Sequence, residues 1–236
     1  MKKSIAAVAA VTTVAMSLAV AAPARAYDRD AYVYAAGHML RSDDLPAALG
    51  DMGTGMSFNA SPSEGDLTLC YIEKTMYKAP AGKYAYSALF NTYRKSPEVG
   101  GDISLVSTVT PFASASKAIA AFDDLRKALK NCKGATTQTW TDDDGVTQTA
   151  SSLTTNGRVP GVTEVGVESL FLNQNYLSTS SDGSDRYGSD TYTVFTLLND
   201  VILSTSYSTG GLENIPTKLR AKVNQVAFTA IDRWLD

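Results

Sequence analysis

The clearest pattern in the chain is a helical one between Pro111 and Gly134. Apolar residues recur there every three or four positions, and charged residues occupy the positions between them. The apolar positions are Ala115, Ala118, Ile119, Phe122, Leu125, Leu129 and Cys132. This spacing predicts an amphipathic helix with one buried face. Ser114 or Ser116 can cap its start, and Gly134 can end it in a left-handed conformation.

A second amphipathic helix is predicted at the end of the chain, from Ile215 to Leu235. Its apolar stripe consists of Leu219, Val223, Val226, Ala230, Ile231 and Trp234. Asn214 is positioned to cap it, and Pro216 suits a first helical turn. Near the start of the chain we expect a short helix around Ala31–Leu40 and another from Pro46 to Gly50.

The rest of the chain has an apolar period of two, which predicts strands. The predicted strands are Leu67–Tyr77, Tyr84–Tyr93, Ile103–Thr110, Thr136–Thr141, Val146–Thr154, Val165–Leu177, Tyr192–Leu198 and Val201–Tyr207. Asp142–Gly145 and Asn199–Asp200 are typical of hairpin turns. Because short turns join successive strands, we expect an α+β fold, an antiparallel β-sheet with two long amphipathic helices packed against it.

The first 26 residues have the features of an export signal. Lys2 and Lys3 precede an apolar run that ends at Ala24-Arg25-Ala26. This arrangement predicts a signal peptide over residues 1–26 and a single mature domain over residues 27–236. An uncleaved membrane anchor is the alternative. The cleavage motif and the absence of a later apolar stretch favour a secreted, extracellular protein with no membrane anchor.

The charge of the chain narrows its range of partners. The full sequence has a net charge of −3. Removal of residues 1–26, which carry Lys2, Lys3 and Arg25 and no acidic residue, changes that to −6. A mildly acidic surface argues against nucleic acid or anionic lipid as a partner.

The chain has two cysteines, Cys70 and Cys132. In an exported protein such a pair usually forms a disulfide, so we expect the fold to contain one disulfide. The closed loop of about 60 residues would stabilise the domain by about 4 kcal/mol in the chain-entropy model. Two free thiols, one of them catalytic, are the alternative.

Few residues in the chain suggest catalysis or metal binding. His38 is the single histidine, and it has no nucleophile motif beside it. The acidic segments Asp142–Gly145 and Ser181–Asp185 resemble turns more than calcium loops, since neither has EF-hand spacing. Dispersed carboxylate pairs, as in glycoside hydrolases, remain open. We expect no catalytic residue, no cofactor and no metal.

Tyrosines are frequent in or beside the predicted strands. Aromatic side chains suit both sheet packing and the wall of a ligand cleft. As candidates for a ligand cleft we take Tyr71, Tyr84, Tyr86, Tyr176 and Tyr192. Ordinary packing is the alternative for each of them.

Three stretches of the sequence carry a family resemblance. They are Asp44–Gly50, the run Leu105–Val109 that leads into the helix ending at Leu129–Cys132, and the final helix Lys218–Leu235. With these stretches the chain resembles the secreted actinobacterial sensor-type domains related to the extracellular domain of the mycobacterial kinase PknH.

The resemblance implies an antiparallel sheet with helices packed against it, a cleft, and ligand sensing without catalysis. Kinase-linked members carry two disulfides, a membrane helix and a kinase domain, whereas this chain has two cysteines and no kinase domain. We therefore expect a secreted, non-enzymatic domain that binds a small-molecule or lipid-like ligand, or an envelope protein. A secreted hydrolase using dispersed carboxylates and a protein-interaction domain without a small ligand are the alternatives.

Overall fold

The structure is a computed structural model that describes residues 29–46, 49, 57–62, 68–72, 75–78, 84–95, 100–159, 168–183, 186–210, 215 and 217–236. It contains three α-helices in these ranges. They are α1 (Arg29–His38), α2 (Ala115–Asn131) and α3 (Thr217–Leu235). The predicted signal peptide, residues 1–26, lies outside the described residues.

Ten strands are described, and they form two sheets. They are β1 (Ser57–Pro62), β2 (Thr68–Ile72), β3 (Thr75–Lys78), β4 (Tyr84–Lys95), β5 (Gly100–Pro111), β6 (Gly134–Thr141), β7 (Thr147–Arg158), β8 (Glu168–Ser180), β9 (Arg186–Leu198) and β10 (Val201–Gly210). The main sheet has the order β1-β4-β5-β10-β9-β8-β7-β6, and β2 and β3 form a separate hairpin. Every described strand pair is antiparallel, which confirms the predicted sheet type.

One face of the main sheet, which we call the α3 face, carries the larger core. Alternate residues of β4, β5, β10 and β9 meet α3 and the segment around α1 there. The fully buried members include Phe90, Leu105, Val194, Tyr207 and Val223. The predicted stripe of α3 is confirmed at its buried positions, since Val223, Val226, Ala230 and Ile231 all lie in this core.

The opposite face, which we call the α2 face, carries a second and smaller core. Phe122, Leu125 and Leu129 of α2 pack there against strands β8, β9 and β10. The strand residues in this core are Leu170, Leu172, Phe195 and Ile202. The two long helices therefore lie on opposite faces of the sheet, because neighbouring strand residues point to opposite sides.

The residues predicted to cap α2 lie at the two ends of the helix. The Ser114 side chain accepts a hydrogen bond from the Lys117 backbone N–H, so Ser114 rather than Ser116 is the cap. The helix ends at Asn131, and Gly134 has a φ of +99°, a left-handed conformation that a glycine adopts without strain. Gly134 is also the first residue of β6.

The start of the chain is attached to the last helix. Asp44 accepts hydrogen bonds from the Arg233 guanidinium at 2.8 and 3.1 Å, and the Tyr34 hydroxyl donates to the Trp234 carbonyl oxygen at 3.1 Å. A 3-10 turn at Ser42–Asp44 presents the carboxylate. The predicted helix Pro46–Gly50 falls mostly outside the described residues.

The prediction of one long strand over Leu67–Tyr77 was wrong. The segment forms two strands, β2 and β3, that pair with each other as a hairpin. The apolar alternation is present in both, but the register shifts between Thr68 and Cys70, and the chain reverses after Ile72. The segment contains no glycine or proline to signal that reversal.

The expected disulfide falls partly outside the described residues, because the side chain of Cys70 is not among them. Cys132 is fully buried and is not a free thiol. The Asn156 amide also holds this end of α2, because it donates to the carbonyl oxygens of Leu129 and Cys132, each at 2.6 Å. The fold class is thus α+β with an eight-stranded antiparallel sheet.

None of the described helices is long and apolar enough to cross a membrane.

Candidate functional site

The α2 face changes character beyond the area that α2 covers. Its side chains on β4, β5, β10 and β9 are there mostly small and hydroxylated, and most of them are half-buried. We call this area the hydroxyl strip. Its members are Ser87, Ser104, Thr108, Thr191, Thr193, Ser204, Ser206 and Ser208.

Three pairs of these hydroxyls are hydrogen-bonded across neighbouring strands. Thr193 bonds Ser206 at 2.9 Å, and Thr191 bonds Ser208 at 2.9 Å. The third pair, Ser87 and Thr108, is separated by 3.0 Å. A hydroxyl has one donor and two acceptor sites, so each pair uses one donor and leaves the other donor for a further partner. The strip is therefore an uncharged surface that can both donate and accept hydrogen bonds.

Two tyrosines extend the strip toward the start of β9. Tyr176 on β8 and Tyr187 on β9 form a tilted ring pair with centroids 6.3 Å apart. Tyr187 lies on the same side of β9 as Thr191, four residues away, which is about 13 Å along a strand. Tyr187 is 49% exposed and Tyr176 is half-buried. An accessible aromatic surface thus adjoins the hydroxyl strip.

The five candidate tyrosines do not share this face. Tyr176 lies on it, whereas Tyr86 and Tyr192 are buried on the α3 face. The side chains of Tyr71 and Tyr84 lie outside the described residues. The structure therefore brings Tyr176 together with the strip and separates Tyr86 and Tyr192 from it.

Tyr192 belongs to a buried polar group beneath the first turns of α3. Its hydroxyl donates to the Asn224 side chain at 3.0 Å, and burial raises its pKa. Asp190 is fully buried nearby; one carboxylate oxygen accepts from the Ile215 backbone N–H at 2.5 Å and lies 3.7 Å from the Arg220 guanidinium. Burial raises the pKa of Asp190, because desolvation outweighs the Ile215 hydrogen bond and the charge of Arg220.

His38 has a structural environment. Its ring stacks on that of Tyr34 with centroids 3.8 Å apart, and its Nδ1 lies 2.7 Å from the Tyr34 carbonyl oxygen. The ring nitrogen must donate to that carbonyl, so it is already occupied.

The acidic turn Asp142–Gly145 closes the β6–β7 hairpin, as predicted. The Asp142 carboxylate accepts hydrogen bonds from the backbone N–H groups of Asp144 and Val146 and from Gln148. In the part of the chain that the structure describes, no group of three or more His, Cys, Asp or Glu side chains could hold a metal ion.

Two half-exposed carboxylates approach each other through an arginine at the edge of α2. Asp123 and Glu168 both form ion pairs with the Arg126 guanidinium, and Arg158 lies 3.6 Å from Glu168. Both carboxylates are therefore neutralised by cations. A hydrolase pair would instead need one carboxyl kept protonated beside an open groove.

Sequence reasoning missed the hydroxyl strip, although a signal for it exists. In Val201–Ser208 the serines fall at Ser204, Ser206 and Ser208 and alternate with buried residues. A period of two with hydroxyls on one side indicates a strand whose second face is polar. The tyrosines were more conspicuous in the sequence, but of the three candidates whose side chains are described only Tyr176 adjoins the strip.

The chain is similar to one known family of extracellular domains. The family model described as the PknH-like extracellular domain matches residues 36–202, well over half of the chain. The crystal structure of the extracellular domain of PknH from Mycobacterium tuberculosis is similar, with a TM-score of 0.46 and 15% sequence identity. That match covers 85% of this chain and 94% of the solved one. No curated protein shows significant similarity to the chain.

Proposed function

The chain belongs to the family of PknH-like extracellular domains, and from that premise we propose that it binds a neutral, polyhydroxylated ligand of the cell envelope without transforming it. The family makes this an extracellular, sensor-like domain. The hydroxyl strip and its adjoining tyrosines would form the binding surface. The signal peptide and the secretion that we expect from the sequence would fit the same role.

The observation that carries the proposal is the chemistry of the half-buried part of the α2 face that lies outside the core beneath α2. Eight hydroxyl side chains occupy neighbouring strands there, and three cross-strand pairs among them each keep a free donor. A sugar presents hydroxyl groups at its edge and C–H groups on its face. Serine and threonine hydroxyls match the edge, and an exposed aromatic ring such as that of Tyr187 matches the face.

The lack of charge on the hydroxyl strip favours a neutral ligand over a charged one. The described side chains of the strip include no lysine, arginine or carboxylate. Recognition of a phosphate or carboxylate usually relies on arginine or lysine, and recognition of an amine relies on an acidic group. A neutral ligand that offers donors and acceptors is the class that this surface fits best.

The strip also lies beside an apolar area. Leu172 and Thr193 are opposite each other on β8 and β9, where the hydroxyl strip meets the core beneath α2. A ligand with an apolar end, such as a glycolipid, would find both surfaces on one face of the sheet. The ligand that we propose is therefore a more specific form of the small-molecule or lipid-like ligand expected from the sequence, one with a sugar-like head.

Titration of the purified protein with neutral oligosaccharides released from the envelope of an actinobacterial host would test the proposal. We expect amide NMR shifts to change in β9 and β10 around Thr191 and Ser208. Tyr187→Ala should raise the Kd by roughly fivefold, because an accessible ring contact is worth about 1 kcal/mol. Tyr34→Ala removes another exposed tyrosine, far from the strip, and is the matched control.

The proposal fails if the shifts map to another surface or if both tyrosine variants bind equally well. Native mass spectrometry of the secreted protein is the complementary measurement. Added mass from a sugar-containing molecule would support the proposal, and added mass from a sugar-free lipid would contradict it.

A further inference from the structure

The strand β6 forms one edge of the main sheet, and it lacks the usual protection of an edge. Among the described residues only β7 pairs with it, in continuous register from Gly134 to Thr141. Nearly all of its side chains are exposed, including Trp140 at 42%. Its eight residues, GATTQTWT, include no charged residue and no proline, and the pairing has no bulge.

Natural proteins prevent such an edge from pairing with other chains by charge, proline, bulges or short length. The strand at the opposite edge, β1, has six residues and ends at Pro62. A proline cannot donate to a further strand. The difference between the two edges indicates that β6 is available for pairing and that β1 is less so.

The charges at the two ends of β6 are opposite in sign. Lys133 precedes the strand, and Asp142, Asp143 and Asp144 follow it. The Asp142 carboxylate is engaged within its own turn. Lys133 and Asp143 are exposed, and the ion pairs of the described residues include neither of them.

We propose that β6 is a self-pairing edge through which two copies of this chain form an antiparallel dimer. The two eight-stranded sheets would join into one continuous sheet. Antiparallel pairing inverts the second strand, so the basic end of each copy meets the acidic end of the other. This charge complementarity is what selects a second copy of the same chain as the partner.

Symmetry fixes the register of the pairing. A two-fold axis that relates antiparallel edge strands is perpendicular to the sheet, so each residue faces the same side in both copies. Opposite residues must then both have even or both have odd numbers. An axis through Gln138 satisfies this condition, places Trp140 opposite Thr136, and brings Lys133 beside the turn of the other copy that contains Asp143. An axis one residue earlier would place Lys133 opposite the uncharged Thr141.

Charge exchange tests the proposal without changing the fold, because both side chains are exposed. We expect the purified wild-type protein to show a concentration-dependent dimer by sedimentation velocity. Lys133→Asp and Asp143→Lys should each raise the dimer Kd by about tenfold or more, because two ion pairs become two like-charge contacts. An equimolar mixture of the two variants should recover the wild-type Kd, since every contact across the mixed interface is again between opposite charges.

Two further variants complete the test. Gln138→Lys places two ammonium groups opposite each other at the axis and should also weaken the dimer. Lys117→Asp reverses an exposed lysine at the start of α2 and should leave it unchanged. A wild-type protein that stays monomeric up to about 1 mM, which limits association to weaker than about 4 kcal/mol, would refute the proposal. A dimer that the mixture fails to restore would refute it too, since another surface would then be responsible.

Discussion

The two faces of the main sheet are made by the same strands and yet differ in composition. On the α3 face, the inward side chains of β4, β5, β10 and β9 are mostly apolar and buried beneath α3. On the α2 face, the buried apolar core lies beneath α2, and the hydroxyl strip, with Leu89 and Val106 among its rows, lies outside that core. Because burial of apolar area is the main stabilising contribution, the α3 face and the covered part of the α2 face account for the stability. The strip contributes less and is free to serve binding.

The largest expected effect concerns the covered part of the α2 face. Phe122 on α2 and Phe90 on β4 are both fully buried, one on each face. Replacing either by alanine should lower the free energy of unfolding by about 3–5 kcal/mol, since both leave a cavity. Urea unfolding of the purified variants measures this.

Ile119 is the matched control within the same helix, because it is 49% exposed. Ile119→Ala should change the free energy of unfolding by less than about 0.5 kcal/mol. If Phe122→Ala were as mild as Ile119→Ala, α2 would be a peripheral helix and the two faces would differ more than the structure indicates.

The next effect concerns the buried carboxylate on the α3 face, that of Asp190. Asp190→Ala removes the acceptor of the buried Ile215 N–H and should destabilise the protein by about 1–3 kcal/mol. Asp190→Asn keeps an oxygen for that hydrogen bond and removes only the charge, so it should cost less at neutral pH. Urea unfolding at pH 7 compares the two variants.

The stability of the Asp190→Asn variant should also depend on pH in a defined way. Burial raises the folded-state pKa of Asp190, so the folded protein binds this proton more tightly than the unfolded chain does. The wild type therefore loses stability from this group as pH rises from the ordinary aspartate pKa to the raised one. The variant lacks this loss, so its stability relative to wild type should increase with pH across that window. A relative stability that falls instead would mean that Arg220 outweighs desolvation.

How much of the fold could be predicted from the sequence depends on how far apart along the chain the interacting residues lie. The amphipathic stripes of α2 and α3 and the turn at Asp142 follow from local spacing and are confirmed at most positions, but Ala115 and Ile119 of the predicted α2 stripe are exposed. The placement of α2 and α3 on opposite faces depends on which strands pair, and no local pattern encodes it. The reversal after Ile72 was missed for a related reason: β2 and β3 pair in a hairpin that no glycine or proline marks.

The candidate site was less predictable than the fold. The alternation of Ser204, Ser206 and Ser208 identifies a polar strand face, but the residues opposite them come from β9 and β5. Tyr176 and Tyr192 lie in equally plausible strands and yet point to opposite faces. Only the pairing register of β8 and β9, which places Tyr192 opposite Asn173 and Tyr176 opposite Ser189, separates them. Whether the tyrosines bind a ligand stays a prediction.

The last comparison is between two hydroxyl pairs of similar length, one on each face, and the smallest expected effect is that of the pair on the hydroxyl strip. Ser169 and Thr196 are 2.7 Å apart and fully buried, on the side of the sheet that faces α3. Thr191 and Ser208 are 2.9 Å apart and half-buried on the hydroxyl strip. Thr196→Val leaves the Ser169 hydroxyl buried without its partner and should cost about 1–3 kcal/mol, whereas Ser208→Ala should cost no more than about 0.5–1 kcal/mol.

The double variants complete this comparison, because removing both partners leaves no orphan group. Ser169→Ala with Thr196→Val should recover part of the loss of the single variant, and Thr191→Val with Ser208→Ala should remain close to wild type in urea unfolding. The second double variant should nevertheless bind neutral oligosaccharides more weakly, since it removes two groups of the strip. If removal of the strip pair lowered the free energy of unfolding as much as removal of the buried pair, the strip hydroxyls would serve mainly to stabilise the fold. If this double variant kept its stability but bound the oligosaccharide more weakly, the α3 face would be the one that stabilises the domain and the strip the one that recognises its ligand.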